Sequence, residues 1–328
     1  MTTKETLLSL LESQQGSFFS GEELAQELQV SRAAVWKAVN ALRQEGFAID
    51  AVTNRGYCLS RDADVLSVQG IRKHLAPENR DIPITLLPTV PSTNAAAREQ
   101  AEQGAPSGSV VLACTQTRGR GRYGRSFFSP ADTGLYLSIL LRPTHTSPRQ
   151  TVTLTAAAAV AMCQAIEAVC DGKPQIKWVN DIYMNGKKIC GILTEAAFGL
   201  ETGVPEYVVV GAGLNVYTPE GGFPPELTDI AGSLLSQRTA DARNHLAAEF
   251  INRFLSLAQA QPEDFLEDYR RRSLVLGKRV TVLSGDKEQE ALALGIDDHC
   301  RLVVRYGSGE TQTLSWGEIR IHPEKSQK

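Results

Sequence analysis

The chain has 328 residues, enough for two or three domains, and its 42% hydrophobic and 22% charged residues are ordinary for a water-soluble globular protein. A formal net charge of −3 excludes a global electrostatic case for nucleic acid or membrane, so any charged footprint has to be local. The six cysteines form no C-x-x-C pair and no histidine stands at metal-ligand spacing, which suits reduced thiols in a cytoplasmic protein and assigns no metal ligands.

The N-terminal run is too charged for a signal peptide. Residues 1–60 read as three helices and a hairpin. The first helix covers about Lys4 to Glu12. Ser20-Gly21-Glu22-Glu23 is a capping-box pattern that opens a second, about Glu22 to Leu28. Ser31 caps a third that runs to about Glu45 and stops at Gly46. In that helix Val35, Val39 and Leu42 share an apolar face, while Ala33, Lys37 and Asn40 lie opposite. Two short helices joined tightly, the second with a polar outer face, are a helix-turn-helix signature. Phe47–Asp50 and Gly56–Ser60 then form a hairpin, or wing, across Thr53-Asn54-Arg55-Gly56.

Charge is partitioned along this segment. Residues 1–30 carry one Lys and five Glu, whereas residues 31–61 carry Arg32, Lys37, Arg43, Arg55 and Arg61 against Glu45 and Asp50. The basic excess falls on the helix and wing that would face a duplex, with Ser31, Arg32, Ala33, Trp36, Lys37, Asn40 and Arg55 as the DNA-facing set. A plain protein-contact winged helix is the alternative.

Arg61–Val65 reads as a linker. Between residues 66 and 272 strands and helices alternate without a strict βαβ rhythm, which predicts an α+β domain with a mixed sheet. Within it the uncharged run Thr151–Ile166, mainly Ala and Thr, reads as a buried helix rather than a membrane span. Short strands broken by Gly, Asp and Ser over residues 273–328 predict a small β-barrel. The expected domains are therefore 1–62, 66–272 and 273–328.

The chemistry concentrates in the middle domain. Gln116 to Arg125 packs four arginines and three glycines into ten residues with no acid among them. Glycines let a backbone approach a ligand closely, and guanidinium groups supply planar donors for phosphate. Mutual repulsion should keep such a loop mobile until an anion arrives. An RNA-binding segment or a solvated surface loop are the alternatives.

Downstream, Asn185-Gly186 between two strand-forming runs predicts a two-residue hairpin. It pairs Met184 with Lys187, Tyr183 with Lys188 and Asp181 with Cys190, so Asp181 and Lys188 share a face, joined by Lys177 if no bulge intervenes. Exposed ion pairing is the bland explanation. Beside the arginine loop, the cluster reads as a site that handles negative charge during a reaction. Pro91-Ser92-Thr93-Asn94 precedes an Ala-rich helix (Ala95 to Gln103) and reads as its N-cap, and Gly211-Ala212-Gly213 closes a buried strand.

In register, Ser92-Thr93-Asn94, the Gly119-Arg120-Gly121-Arg122 loop, Lys177-Trp178-x-Asn180-Asp181, Lys188-x-x-Gly191-Ile192-Leu193 and Gly211-Ala212-Gly213-Leu214-Asn215 resemble the biotin protein ligases. With a helix-turn-helix in front, the resemblance is to the bifunctional bacterial type that doubles as the biotin operon repressor. It covers nearly the whole chain and implies a class II synthetase-like catalytic domain and an SH3-like C-terminal barrel.

The resemblance also implies roles, position by position. Ser92, Thr93, Asn94 and Gln116 would meet the ureido ring of biotin or line its pocket, with Gly191 and Gly211. Arg120, Gly121 and Arg122 would form a loop closing over biotin and phosphates, and Lys188 would meet the biotin carboxylate. Lys177, Asn180, Asp181 and Asn215 would serve ATP, Mg²⁺ or the incoming lysine. Arg120, Arg122, Lys177, Asp181 and Lys188 form the implied catalytic set. Implied partners are a biotin carboxyl carrier protein of acetyl-CoA carboxylase, operator DNA, and a second copy in an adenylate-bound homodimer, with no membrane. Val179 stands where the family often has Pro, and the C-terminal ATP contact stays open between Arg320 and His322. A lipoate or octanoate ligase, or a non-catalytic ligand-sensing transcription factor, are the competing readings.

Overall fold

The computed structural model describes residues 2–14, 16–44, 47–60, 64–142, 150–198, 205–284, 287–315 and 317–321. Gly46, residues 61–63 of the expected linker and His322 lie outside them. The chain divides into two compact units, Met1–Arg80 with Leu235–Ala248, and Asp81–Leu234 with Glu249–Lys328.

In the first unit α1 (Thr3–Ser13), α2 (Gly21–Glu27) and α3 (Arg32–Gln44) precede an antiparallel hairpin, β1 (Ile49–Val52) and β2 (Gly56–Leu59). The capping box forms as expected: the Ser20 amide donates to Glu23 Oε2 at 2.7 Å, and Ser20 Oγ accepts from the Glu23 amide at 3.1 Å. Thr2 and Glu5 make an equivalent box at α1. Leu7, Leu8 and Leu11 meet Leu24, Val35, Val39 and Leu42 in one core, because helical spacing places each set on one face. Gly56 has φ 94°, and a Cβ there would lie 1.9 Å from the Phe19 carbonyl oxygen, so the hairpin can close only on glycine.

The same unit draws on a distant stretch of chain. After α4 (Val68–His74) is accounted for, its remaining polar core is a buried ion pair: Arg243 Nε donates to Asp64 Oδ2 at 3.0 Å, and the Arg243 amide donates to Asp64 Oδ1 at 3.0 Å. Asn244 Oδ1 accepts from the Ser67 amide at 2.9 Å, and its Nδ2 donates to the Val65 carbonyl at 2.9 Å. Asp64, Ser67, Arg243 and Asn244 are thus each met by a partner, as burial demands.

The second unit holds a seven-stranded sheet. Its strands are β3 (Ile84–Val90), β4 (Val110–Gln116), β5 (Gly134–Leu141), β6 (Gln175–Lys177), β7 (Asp181–Met184), β8 (Lys187–Phe198) and β9 (Pro205–Asn215). The order is β3-β4-β5-β9-β8-β7-β6, with β3 parallel to β4 and every other pairing antiparallel. This is the mixed sheet of an α+β protein. Helix α5 (Thr93–Glu102) packs on β4, β5 and β9, and α6 (Gln150–Val169) on β7, β8 and β9. The apolar run expected to be a buried helix lies in α6. By length and composition Thr151–Val169 could cross a membrane, but it is covered by the sheet and by α8 (Glu263–Arg271), which follows α7 (Ala242–Leu257). The expected barrel region is a five-stranded antiparallel sheet, built from β10 (Arg279–Ser284), β11 (Lys287–Ile296), β12 (Leu302–Tyr306), β13 (Thr311–Leu314) and β14 (Glu318–Ile321).

Burial pushes the Glu12 carboxyl of α1 up to about 7, and the negative charge of Asp241 adds to the rise. A carboxyl raised in this way favours folding below its unfolded pKa of about 4.5, and the benefit is lost as pH climbs through 7. Glu12→Gln should therefore stabilise the first unit at pH 8, by up to about 3 kcal/mol, with the gain vanishing toward pH 4. Urea unfolding at both pH values checks this, and an equal shift at the two would refute it.

Candidate active site

A cleft of about 420 Å³ in the second unit collects the sequence motifs. Its floor is β5, β9 and β8, where Ser138, Gly211 and Leu193 lie side by side in register. Glycine is required here by the protein's own packing. A Cβ on Gly211 would sit 2.0 Å from Asn94 Oδ1, and one on Gly213 would sit 2.6 Å from the Phe127 ring.

Ser92 and the first turn of α5 form one wall. Ser92 occupies the N-cap position, yet its hydroxyl makes no capping bond, and the helix starts at Thr93 rather than Ala95. The side chains of the motif turn instead to the sheet. The Thr93 amide donates to Gln116 Oε1 at 2.8 Å, while Asn94 Nδ2 donates to Glu195 Oε2 at 2.8 Å and to the Leu193 carbonyl at 3.2 Å. Ser138 Oγ lies 2.8 Å from Thr93 Oγ1 and 2.7 Å from Asn94 Oδ1. Gln116 Nε2 donates to Ser129 Oγ at 2.9 Å, which fixes the amide's orientation.

The opposite wall carries charge. Met184 pairs with Lys187 and Tyr183 with Lys188 as expected, but Asp181 faces Gly191 instead of Cys190. A bulge between Ile182 and Tyr183 adds one residue on β8. That extra residue lets Lys188 and Gly191 face the same side, and it sends Cys190 into the core, where burial raises its thiol pKa. Lys188 Nζ stands 2.6 Å from Asp181 Oδ1, an oxygen with no aligned hydrogen bond, so charge rather than geometry holds the pair. Lys177 lies directly across from Asp181. Burial lowers the Lys177 ammonium pKa; Asp181 opposes that shift and Lys188 adds to it. Its Nζ sits 5.8 Å from the Tyr183 ring centroid, and burial, Asp181 and Glu318 push that phenol up to about 12. The Trp178–Val179 peptide is cis.

The arginine loop closes the cleft. Its arginines do not simply repel one another, because partners on other elements hold three of them. Arg120 Nη1 is 3.4 Å from Glu195 Oε1, Arg122 Nη1 donates to Asn180 Oδ1 at 3.1 Å, and Arg125 pairs with Glu318 of β14. Arg320 of the same strand also lines the cleft.

Ser92, Thr93, Asn94, Gln116, Arg120, Gly121, Arg122, Lys177, Asn180, Asp181, Lys188, Gly191 and Gly211 all line this one cavity. Asn215 does not. It is buried beyond the cleft and donates to the Gly232 carbonyl at 3.1 Å, and Gly232 in turn donates its amide to the Lys188 carbonyl at 2.9 Å. Sequence reasoning missed Phe127, Ser138, Glu195 and Glu318. Only the inward alternation of Ser138 on its strand offered a signal.

A second candidate surface lies in the first unit. Ser31, Arg32, Ala33, Trp36 and Lys37 are exposed along α3, with Asn40 half-buried, and Trp36 keeps 57% of its surface in solvent. Trp36, Lys37, Asn40, Ala41 and Arg43 border a shallow depression. Arg55 in the hairpin turn stacks over Phe18 at 4.1 Å.

Comparison with known proteins agrees with this division of labour. Residues 86–215 match the biotin/lipoate A/B protein ligase family, residues 3–58 an HTH domain, and residues 275–321 the biotin protein ligase C-terminal domain. The chain is 34% identical over 316 residues to the bifunctional ligase/repressor BirA of Bacillus spizizenii, covering 94% of this chain and 95% of that one. It is 34% identical over 238 residues to the biotin–[acetyl-CoA-carboxylase] ligase of Mycobacterium tuberculosis, covering 70% of this chain and 85% of that one. The fold of a biotin protein ligase from Aquifex aeolicus, solved in complex with biotin and ATP, superposes with a TM-score of 0.61 at 24% identity over 73% of this chain and 98% of that one.

Gly211→Ala should drive Asn94 out of place and cost about 1–3 kcal/mol of stability. Denaturant unfolding tests it, and a neutral result would mean that the floor is looser than the 2.0 Å approach implies.

Proposed function

Because the chain belongs to the family of bifunctional biotin ligase/repressors, we propose that it joins biotin to ATP as biotinyl-5′-adenylate, transfers the biotinyl group to a lysine, and represses transcription in response. The observation that carries this is the meeting, in one cavity, of an amide- and hydroxyl-lined floor with a group of cations that includes Arg120, Arg122, Lys177 and Lys188.

In the first step a carboxylate oxygen of biotin attacks the α-phosphorus of Mg²⁺–ATP, and pyrophosphate leaves. In the second, the acceptor amine attacks the carbonyl of the mixed anhydride, and AMP leaves. Negative charge builds on non-bridging oxygens in both, so cations fixed beforehand stabilise the transition states more than the ground states. Lys188 meets the carboxylate, Arg120 and Arg122 meet phosphate from the loop, and Lys177 and Asn180 contact ATP. Asp181 orients the incoming lysine, and with Asn180 it offers the oxygen donors that the hard Mg²⁺ of the nucleotide favours. Ser92, Thr93, Asn94 and Gln116, with Gly191 and Gly211, take the ureido ring. Asn215 acts on ATP indirectly, by fixing the segment hydrogen-bonded to Lys188.

The acceptor is a biotin carboxyl carrier domain of acetyl-CoA carboxylase, in the cytoplasm. Ser31, Arg32, Ala33, Trp36, Lys37 and Asn40 face operator DNA from α3, and Arg55 does so from the hairpin acting as a wing. Residues 1–62, 66–272 and 273–328 are the functional domains. Adenylate in the cleft orders the arginine loop and with it a surface that pairs two copies, so that a homodimer grips both half-sites. A lipoate ligase shares the adenylation chemistry, but a floor so rich in amide and hydroxyl groups suits a cyclic urea better than an alkyl chain.

Exchange of labelled pyrophosphate into ATP should require biotin, and Lys188→Ala should lower it by about 10²–10³-fold with the fold intact. Exchange driven by lipoate, or by neither acid, would overturn the assignment. Fluorescence anisotropy on a palindromic operator should tighten when biotin and ATP are both added. Affinity indifferent to them would remove the regulatory half.

A further inference from the structure

We propose that Glu195 is a positioning residue that sets the hydrogen-bond polarity of the cleft floor and, with its second oxygen, registers the arginine loop to that floor. The inference rests on the biotin-ligase reading above. Glu195 projects from β8 on the same face as Leu193 and Gly191, and its side chain is 21% exposed. One oxygen accepts from Asn94 Nδ2 at 2.8 Å, and the other lies 3.4 Å from Arg120 Nη1.

The consequence follows from counting protons. Asn94 Nδ2 points at two acceptors, Glu195 and the Leu193 carbonyl, so the amide oxygen must face Ser138. That oxygen can only accept, and at 2.7 Å it takes the single hydroxyl proton of Ser138. Ser138 Oγ also donates toward Thr93 Oγ1 at 2.8 Å, so the two acceptors share its proton, and the Thr93 hydroxyl donates to Gln116 Oε1 at 3.2 Å. Gln116 Oε1 accepts from both the amide and the hydroxyl of Thr93, so the orientation of Asn94 is passed on to a residue that lines the cavity.

Were the Asn94 amide turned over, the order would reverse. Ser138 would accept from Asn94 and give its proton to Thr93 alone, and the amide oxygen would be left facing two acceptors, Glu195 and the Leu193 carbonyl. Glu195 favours the first arrangement. A cyclic urea offers two N–H donors and a cyclic carbamate only one, so discrimination between them is a property Glu195 should control.

The test is steady-state pyrophosphate exchange with full-length protein, using biotin and an analogue in which one ureido N–H is replaced by oxygen. Glu195→Gln can still accept from Asn94 but cannot pair with Arg120. It should keep the biotin KM within about 2-fold and lose about 10-fold in kcat, since a charged hydrogen bond is worth about 1.5 kcal/mol or more. Glu195→Ala should raise the biotin KM by about 10-fold or more and narrow the preference for biotin over the carbamate. Ser138→Ala, a smaller change in the same relay, should raise the biotin KM with kcat preserved, and it keeps the idea testable if Glu195→Ala does not fold.

Equal KM increases in the Gln and Ala variants, or an unchanged urea-to-carbamate preference in both Glu195→Ala and Ser138→Ala, would overturn the positioning role while leaving the ligase assignment standing. Wild-type protein without biotin-dependent exchange would overturn both.

Discussion

Cations crowded at one cleft are the constraint on which this molecule is built. Like charges brought together in a poorly hydrated space repel strongly unless something nearby answers them. Here each answer comes from a different place: Asp181 for Lys188, Glu195 for Arg120, Asn180 for Arg122 and Glu318 for Arg125. On the proposed function, a phosphate or carboxylate entering the cleft would take over partners that the protein has lent out. The site is therefore organised in advance, and the electrostatic work of assembling it is done by folding rather than at the moment of reaction.

The sheet is shaped to permit this. A bulge on β8 places Lys188 and Gly191 on one face, and the glycines of β9 leave room for Asn94 and Phe127 to lie flat on the strands. Without the bulge, alternation would have turned either the lysine or the glycine toward α6. The floor is thus a packed polar surface rather than an open groove. Its hydroxyl and amide groups are ordered by one another, which makes a cleft of this kind selective by the direction of its hydrogen bonds as well as by its volume.

Much of this was legible in the sequence where the signals are local. The capping box at Ser20, the apolar stripe of α3 and the Asn-Gly turn depend on residues within a few positions of each other, and they fell where local rules put them. The motif residues also converged, except Asn215. What could not be read were contacts between residues far apart in the chain. Ser138 and Glu195 look like ordinary strand residues until β5, β9 and β8 are set side by side. Even the hairpin register failed by one residue, because a bulge is decided by what the strand must present to its neighbours and not by the turn that starts it.

Asp64 and Arg243 carry a lesson for anyone dividing this chain. They are separated by 179 residues, yet each neutralises the other inside the first unit, where almost no solvent reaches either side chain. The first unit is consequently not made from the front of the chain alone. A fragment that begins at residue 66 inherits the guanidinium without its counterion, and a solitary charge in an apolar interior is among the most expensive defects a fold can carry. Evolution could exchange or discard such a region only by rewriting the start of a helix that lies far downstream.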